Sequence, residues 1–278
     1  MRKIHLLITF LIGMLVFSSC RDEEIIAPSN FTKEKREKLG DLLKVAIAAD
    51  VARYPILPEA GGVDSTYWYI QKLYNQAINV LKIDGQAPTD NRWNKNRKWE
   101  VTILDLENEK TAFSTPGGHL YLSTGLLKSL EKEYELYYIL TFEAILMQDR
   151  YVLNRMINEF NATTLNNFVV GAPPPPGSPT LQDVAMILSE IDYDEEMTQE
   201  VDEKSVALIC KSSIFDRTGI VKIMEHLDPE TTKWMQTRKS YDYRSQLDYI
   251  LNLPVSTGGD CGTFKSNGGY QEYVLDRL

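Results

Sequence analysis

Residues 133–148, "EYELYYILTFEAILMQ", set the first constraint on this chain. They lie in helical surroundings, and the whole stretch from Gly125 to Phe160 reads as one long helix or two abutting ones. Within it Glu143 stands among hydrocarbon, with Phe142 just before it and Leu146 just after. A carboxylate is rarely buried without a partner. Glu143 must therefore hydrogen-bond to backbone at a sheet edge, pair with a cation such as Arg244, or face water.

The rest of the pattern supplies the setting. Thr32 is a good N-cap for a helix whose apolar face is Leu39, Leu42, Leu43, Ala46 and Ile47. "YPILPEAGG" breaks it, and a second helix begins after Asp64, with Ile70, Leu73, Tyr74, Ala77, Ile78 and Leu81 at the helical period. "KWEVTILDL" alternates, with Trp99, Val101 and Ile103 on one face, as a strand does. "TAFST" and "HLYLST" read as two short strands around a Pro-Gly-Gly turn. Further helices are expected in "LQDVAMILSEI", "SVALICKSSIF" and "IVKIMEHL". The sum is an α+β fold, mostly helical with one small sheet.

The first twenty residues, "MRKIHLLITFLIGMLVFSSC", have a basic start, an apolar run too short for a permanent span, and small residues before Cys20. The ending resembles a bacterial lipobox. It implies a signal peptide over 1–19, a lipid (palmitate-type) anchor on Cys20, and a tether over 20–31 before one domain over 32–278. Arg21 rather than Asp favours the outer membrane in such lipoproteins, and "RDEE" resembles the acidic tag of surface-displayed ones. The periplasmic and the outer face both stay open. Formal net charge is −9, and loss of Arg2 and Lys3 makes it more negative, which argues against nucleic acid as a partner. In an oxidising compartment Cys210 and Cys261 could form a bridge; the apolar helical context of Cys210 favours a buried thiol.

Four blocks in order resemble the HtpX-like zinc metallopeptidases, which include the CAAX prenyl proteases (family forty-eight of the metallopeptidases). "TAFSTPGGHLYLSTGLL" is similar to their N-A-F-x-x-P-G-G-x-x-x-x-x-x-G-L-L block through Ala112, Phe113, Pro116, Gly117, Gly118, Gly125, Leu126 and Leu127. "EYELYYILTFEAIL" resembles the block that ends in H-E-x-x-H, keeping Glu133, Glu135, Leu136, Leu140 and Glu143. "TQEVDEKSVALICKSSIFDRTGIVKIMEHL" resembles the E-x-E-A-D block and its helix-loop-helix, with Glu200, Asp202 and Gly219. "MQTRKSYDYR" resembles the T-H-P…R block through Thr237 and Arg244. The similarity covers roughly residues 60–250, and implies a zincin-like domain with the sheet beside the former active-site helix.

The departures fall on the chemistry. In the family the two motif histidines and a later glutamate hold zinc, and the motif glutamate is the general base. Here the ligand positions are Phe142, Leu146 and Thr198, the T-H-P histidine position is Arg238, and only the base, Glu143, remains. A catalytic zinc takes three protein ligands from His, Cys, Asp or Glu. Phenylalanine and leucine have no lone pair to give. Two histidines remain in the mature chain: His119, read as a partly exposed strand residue, and His226, read as a surface helix residue. The expectation is a pseudoenzyme without a cofactor, its vacated pocket filled by Phe142 and Leu146. A peptide or protein partner would add as a strand along a groove of Ala112, Phe113, Ser114, His119 and Arg244. The alternatives are an active metallopeptidase with rearranged ligands (Glu143, His119 and an acid from 196–202), or a structural envelope lipoprotein with the groove closed. The acidic run 192–203 reads as a solvated face rather than a calcium loop. The aromatics Tyr67, Trp68, Tyr69 and Tyr74 suit core packing at least as well as a sugar platform. Pro173–Pro176 reads as a stiff connector, with a partner ligand or a lid as other readings.

Overall fold

The stretch from Gly125 to Phe160 is neither one helix nor two; it divides into three. The computed structural model describes residues 31–81, 99–173, 175–211, 215, 218–237, 242–253 and 269–278, the side chains of Lys211, Thr218 and His226 excepted. Two helices come first, α1 (Lys33–Ala49) and α2 (Val63–Leu81), then strands β1 (Glu100–Leu104), β2 (Ala112–Ser114) and β3 (His119–Ser123). The divided stretch gives α3 (Thr124–Ser129), α4 (Glu133–Gln148) and α5 (Tyr151–Phe160). After these come α6 (Ala162–Val170), α7 (Leu181–Ile187) with a 3-10 turn at Leu188–Glu190, α8 (Glu195–Lys211) and α9 (Thr218–His226). The chain closes with α10 (Lys233–Gln236), α11 (Tyr243–Leu251) and a π-type turn at Gln271–Leu275. Mostly helix with one small mixed sheet, the fold class is α+β. Among the described residues no helix is long and apolar enough to cross a membrane.

Two local devices divide the long stretch. Glu135 folds back so that its carboxylate accepts from the main-chain N–H groups of Glu131 and Lys132, which starts α4 afresh. Arg150 takes a left-handed conformation, φ 68°, and separates α4 from α5. No glycine or proline marks that second break, so residue type did not announce it. Between the breaks α4 is buried on all sides from Glu135 to Met147. A helix apolar all round needs neighbours all round; α2, α8 and α9 supply them, with β2 and α5. One cluster of buried side chains runs from Phe31 to Val274.

Thr32 caps α1 as expected, accepting the Lys35 N–H, and Leu39, Leu43, Ala46 and Ile47 are buried along its inner face. The acidic run belongs to a helix more than expected, because α8 begins at Glu195. Asp194, Glu195, Glu196 and Glu200 are exposed, as a solvated face requires, and Asp202 and Glu203 depart from it. Asp202 is fully buried, and Glu200 and Glu203 bond Tyr151 and Tyr249. Tyr67, Tyr69 and Tyr74 are buried, so the α2 aromatics are core. Tyr67 and Gln71 do more than pack. Tyr67 Oη accepts the Ile103 N–H at 3.1 Å and Gln71 Oε1 accepts the Val101 N–H at 3.0 Å, so α2 side chains replace a neighbouring strand at the outer edge of β1.

The sheet order is β1-β3-β2, with β3 parallel to β1 and antiparallel to β2. Side chains alternate between its faces. Ser114 and its in-register neighbour Leu120 turn toward α4. Phe113, Tyr121 and His119 turn the other way, where Phe113 stacks on Tyr121 and His119 meets Asp41 of α1. The β2–β3 turn presses against α1: a Cβ on Gly40 would lie 1.8 Å from the Pro116 carbonyl oxygen. Gly117, at φ 103°, has the backbone that only glycine adopts without strain.

Candidate functional site

Glu143 lies mid-way along α4, 4% exposed, on the face turned to β2. Both carboxylate oxygens are engaged from far along the chain. Ser114 Oγ donates to Oε2 at 2.8 Å, and Trp234 Nε1 donates to Oε1 at 3.0 Å. Alternation along β2 is what brings the Ser114 hydroxyl to this face. Trp234 is fixed by its own main chain: its N–H donates to the Lys110 carbonyl at 3.0 Å, and its carbonyl accepts from Thr237 Oγ1 at 2.8 Å. The single turn α10 is thereby pinned beside β2. Burial and then the charge of Glu143 push the Tyr74 hydroxyl well above its ordinary pKa.

Hydrocarbon and aromatic rings surround the carboxylate. The Trp234 indole stands edge-on to Phe142, centroids 5.9 Å apart at 81°, and Tyr138 completes a three-ring cluster at 6.0 and 6.2 Å from the other two. Leu146, one turn beyond Phe142, is also buried. Burying each of these two side chains stabilises the fold by roughly 1.5–3 kcal/mol. The Tyr138 hydroxyl bonds the Asp202 carboxylate, which also accepts from Gln246 Nε2 at 2.6 Å, so the cluster is tied to α8 and α11. Thr198 is fully buried on α8, and its hydroxyl donates one turn back to the Asp194 carbonyl at 2.8 Å.

The donor set beside Glu143 does not suit a metal. Phe142 and Leu146 offer no lone pair, and the indole of Trp234 presents an N–H that donates rather than accepts. A general base also needs reach to the proton it abstracts. Here both oxygens already face donors, and the carboxylate is closed off from bulk solvent.

The five groove residues do not form one surface. His119 is buried, not partly exposed, and it lies on the opposite face of the sheet from Glu143. Its Nδ1 meets Glu100 Oε1 at 3.0 Å and its Nε2 meets Asp41 Oδ1 at 3.1 Å, with Lys44 completing the cluster on Glu100. Burial alone would raise the Glu100 carboxyl; hydrogen bonds and charge from His119 and Lys44 carry it below the usual carboxylate range. Arg244 is exposed on α11, where its Nε donates to the Tyr243 hydroxyl at 3.3 Å, and it does not engage Glu143. Neither His119 nor Arg244 can therefore serve a groove or a rearranged metal site at Glu143.

Ala112, Phe113 and Ser114 do lie together on β2, but all three are buried, covered by the Leu188–Glu190 turn and α10. The ladder pairs Thr111, Phe113 and Thr115 to β3, so the main-chain groups of Ala112 and Ser114 point outward. Those outward groups bond nothing among the described residues. Beside them is a cavity of about 140 Å³, lined in part by Tyr54, Thr111, Phe113, Ser189 and Lys233.

Sequence reasoning missed Trp234 and Tyr138. Trp234 sits in "KWMQT" with no local pattern, and it meets Glu143 across a separation of 91 residues. Cys210 is disulfide-bonded, which overturns the buried-thiol expectation, and its partner lies outside the described residues. Cys20, Arg238 and Cys261 also lie outside them, as do Pro174 and the His226 side chain. No protein-family model matches the chain, and a search of curated proteins finds no match either.

Proposed function

We propose that the chain is a non-catalytic, metallopeptidase-like lipoprotein of the outer membrane, a pseudopeptidase on a zincin-like scaffold. The observation that carries this is the replacement chemistry at Glu143: Ser114 and Trp234 engage its oxygens, and Phe142 fills the adjacent space against the indole. Further support comes from the glycines of the resembling blocks, which fall at close backbone contacts. A Cβ on Gly125 would lie 2.5 Å from the Glu107 and Glu109 carbonyl oxygens, and one on Gly219 2.3 Å from that of Tyr134. The disulfide at Cys210 fits an oxidising compartment. Elemental analysis of the purified chain tests the reading, with zinc far below one ion per chain as the expected result. The variant Phe142→His, Leu146→His, Thr198→Glu, with Trp234→Ala to clear the indole, regains zinc affinity. Stoichiometric zinc in the natural chain, or none in the fourfold variant at about millimolar metal, overturns it.

The partner is proposed to be a peptide strand added to β2, supported by the outward main-chain groups of Ala112 and Ser114. Entry requires α10 to move, because Ala112 and Ser114 are only 2 and 3% exposed. That burial equally favours a second reading, an envelope lipoprotein whose groove is permanently shut. Ala112→Pro separates the two, since it removes an outward N–H without breaking the ladder. Under the first reading it abolishes capture of a specific envelope protein in a chain that still unfolds cooperatively, with a loss of stability of about 1–3 kcal/mol from the added ring at a buried position. Absence of any capture sensitive to this substitution leaves the shut groove.

A further inference from the structure

A second cleft, of about 240 Å³, lies at the turn end of the β2–β3 hairpin, beside Pro116 and Gly117. One wall is the first turns of α1, with Lys33, Arg36 and Glu37; the turn at Pro116–Gly117 closes against it. A Cβ on Gly117 would lie 2.9 Å from the Glu37 Cα, so the two walls are in direct contact. The floor is formed by Trp99, Met147, Val152 and Leu153, with the amide of Gln148 among them, from just before β1, the end of α4 and the start of α5.

Arg36 is the unusual group. Its side chain makes no hydrogen bond and no ion pair among the described residues, and its Nε is fully buried without a partner. A guanidinium carries five donors, and leaving a buried one unmade is costly. The charge that shifts its pKa from off α1 has the same sign. Burial and the like charge of Arg150 both lower the Arg36 pKa, while Glu37 and Glu34 raise it without reaching ion-pair distance. Arg150 itself adopts the left-handed conformation that divides α4 from α5. A half-buried guanidinium whose Nε has no hydrogen-bond partner, in the field of a second positive charge, is suited to receive an anion.

We propose that this cleft binds a small anionic amphiphile: one carboxylate or phosphate head on a short apolar chain. The head pairs with Arg36, in the positive potential of Lys33 and Arg150. The chain lies along Trp99, Met147, Val152 and Leu153. The volume suits a small occupant, since at ~30 Å³ per liquid water it equals about eight water molecules, near the size of an eight-carbon acid. The site stands on its own residues and holds whether or not Glu143 marks a former peptidase.

The purified chain is titrated with octanoate and with octyl phosphate, read by calorimetry and by the change in Trp99 fluorescence, with Trp99→Phe to assign the signal. Saturable binding is expected. Octanol, which lacks the charge, and inorganic phosphate, which lacks the chain, bind at least about tenfold more weakly. Arg36→Gln lowers octanoate affinity by about tenfold or more without lowering the thermal midpoint, because it removes a desolvated cation. Val152→Phe, which fills the floor, lowers it by an independent route. Vesicles of phosphatidylglycerol against phosphatidylcholine separate the sources: Arg36-dependent capture assigns the head group to a lipid bilayer, and its absence beside octanoate binding assigns a free acid. No saturable binding of either probe up to about 10 mM, or equal affinity in Arg36→Gln and Val152→Phe, overturns the proposal.

Discussion

The Glu143 carboxylate illustrates how one residue's meaning depends on partners the local sequence does not contain. Its position between Phe142 and Leu146 was legible at once, and so was the lack of metal-ligating side chains at those two positions. Its stabilisation by Ser114 and Trp234 was not, because hydrogen bonding across 29 and 91 residues leaves no periodic trace. Trp234→Phe keeps most of the ring packing on Phe142 and Tyr138 but strands one carboxylate oxygen. Urea unfolding should show a loss of about 1–3 kcal/mol. In that background Glu143→Gln should cost less than it does in the natural chain, because the amide no longer confronts the indole N–H. A double-mutant cycle with no coupling would show the two side chains to be independent.

At the scale of elements, the strands and most helices followed from pattern: period-2 alternation in β1, the Pro-Gly-Gly turn between β2 and β3, and the Thr32 cap on α1. The division of α3, α4 and α5 did not follow, because it rests on a folded-back Glu135 and a left-handed Arg150 rather than on helix-breaking residue types. Helix propensity and packing make opposite predictions at Gly40, inside α1. Propensity alone gives Gly40→Ala a gain of roughly 0.5–1 kcal/mol. The Pro116 carbonyl oxygen stands 1.8 Å from the added Cβ, so α1 must move off the hairpin turn. The expected result is destabilisation by about 1–3 kcal/mol, and a stabilised variant would mean that α1 does not seat on that turn. The same seating forms one wall of the Arg36 cleft, so Gly40→Ala should also weaken octanoate binding.

For the whole molecule, stability depends on pH through groups shifted in opposite directions. Glu100 and Glu200 titrate below their usual value of 4.5 in the folded chain: His119 and Lys44 outweigh burial at the first, and Lys204 and Tyr151 act on the second. Their contribution is present above the unfolded pKa and is lost as pH falls through the folded pKa. Glu133 is raised by burial, so its contribution runs the other way and is lost as pH rises through its folded pKa. Unfolding free energy should therefore fall below about pH 4.5, and Glu100→Gln should flatten that acid limb in a pH series. Reduction of the disulfide at Cys210 should lower stability by about 2–4 kcal/mol, measured by denaturant unfolding with and without reductant. By itself the sequence determined the α+β class, the mostly helical build and the absence of His, Cys, Asp or Glu at 142, 146 and 198, because periodicity and side-chain chemistry are local properties. Tertiary structure alone decided that Trp234 closes over Glu143, that His119 faces away from it, and that the Arg36 Nε is buried without a hydrogen-bond partner among the described residues. Each of these depends on which segments distant in sequence are packed together, and on which face of the sheet a residue falls.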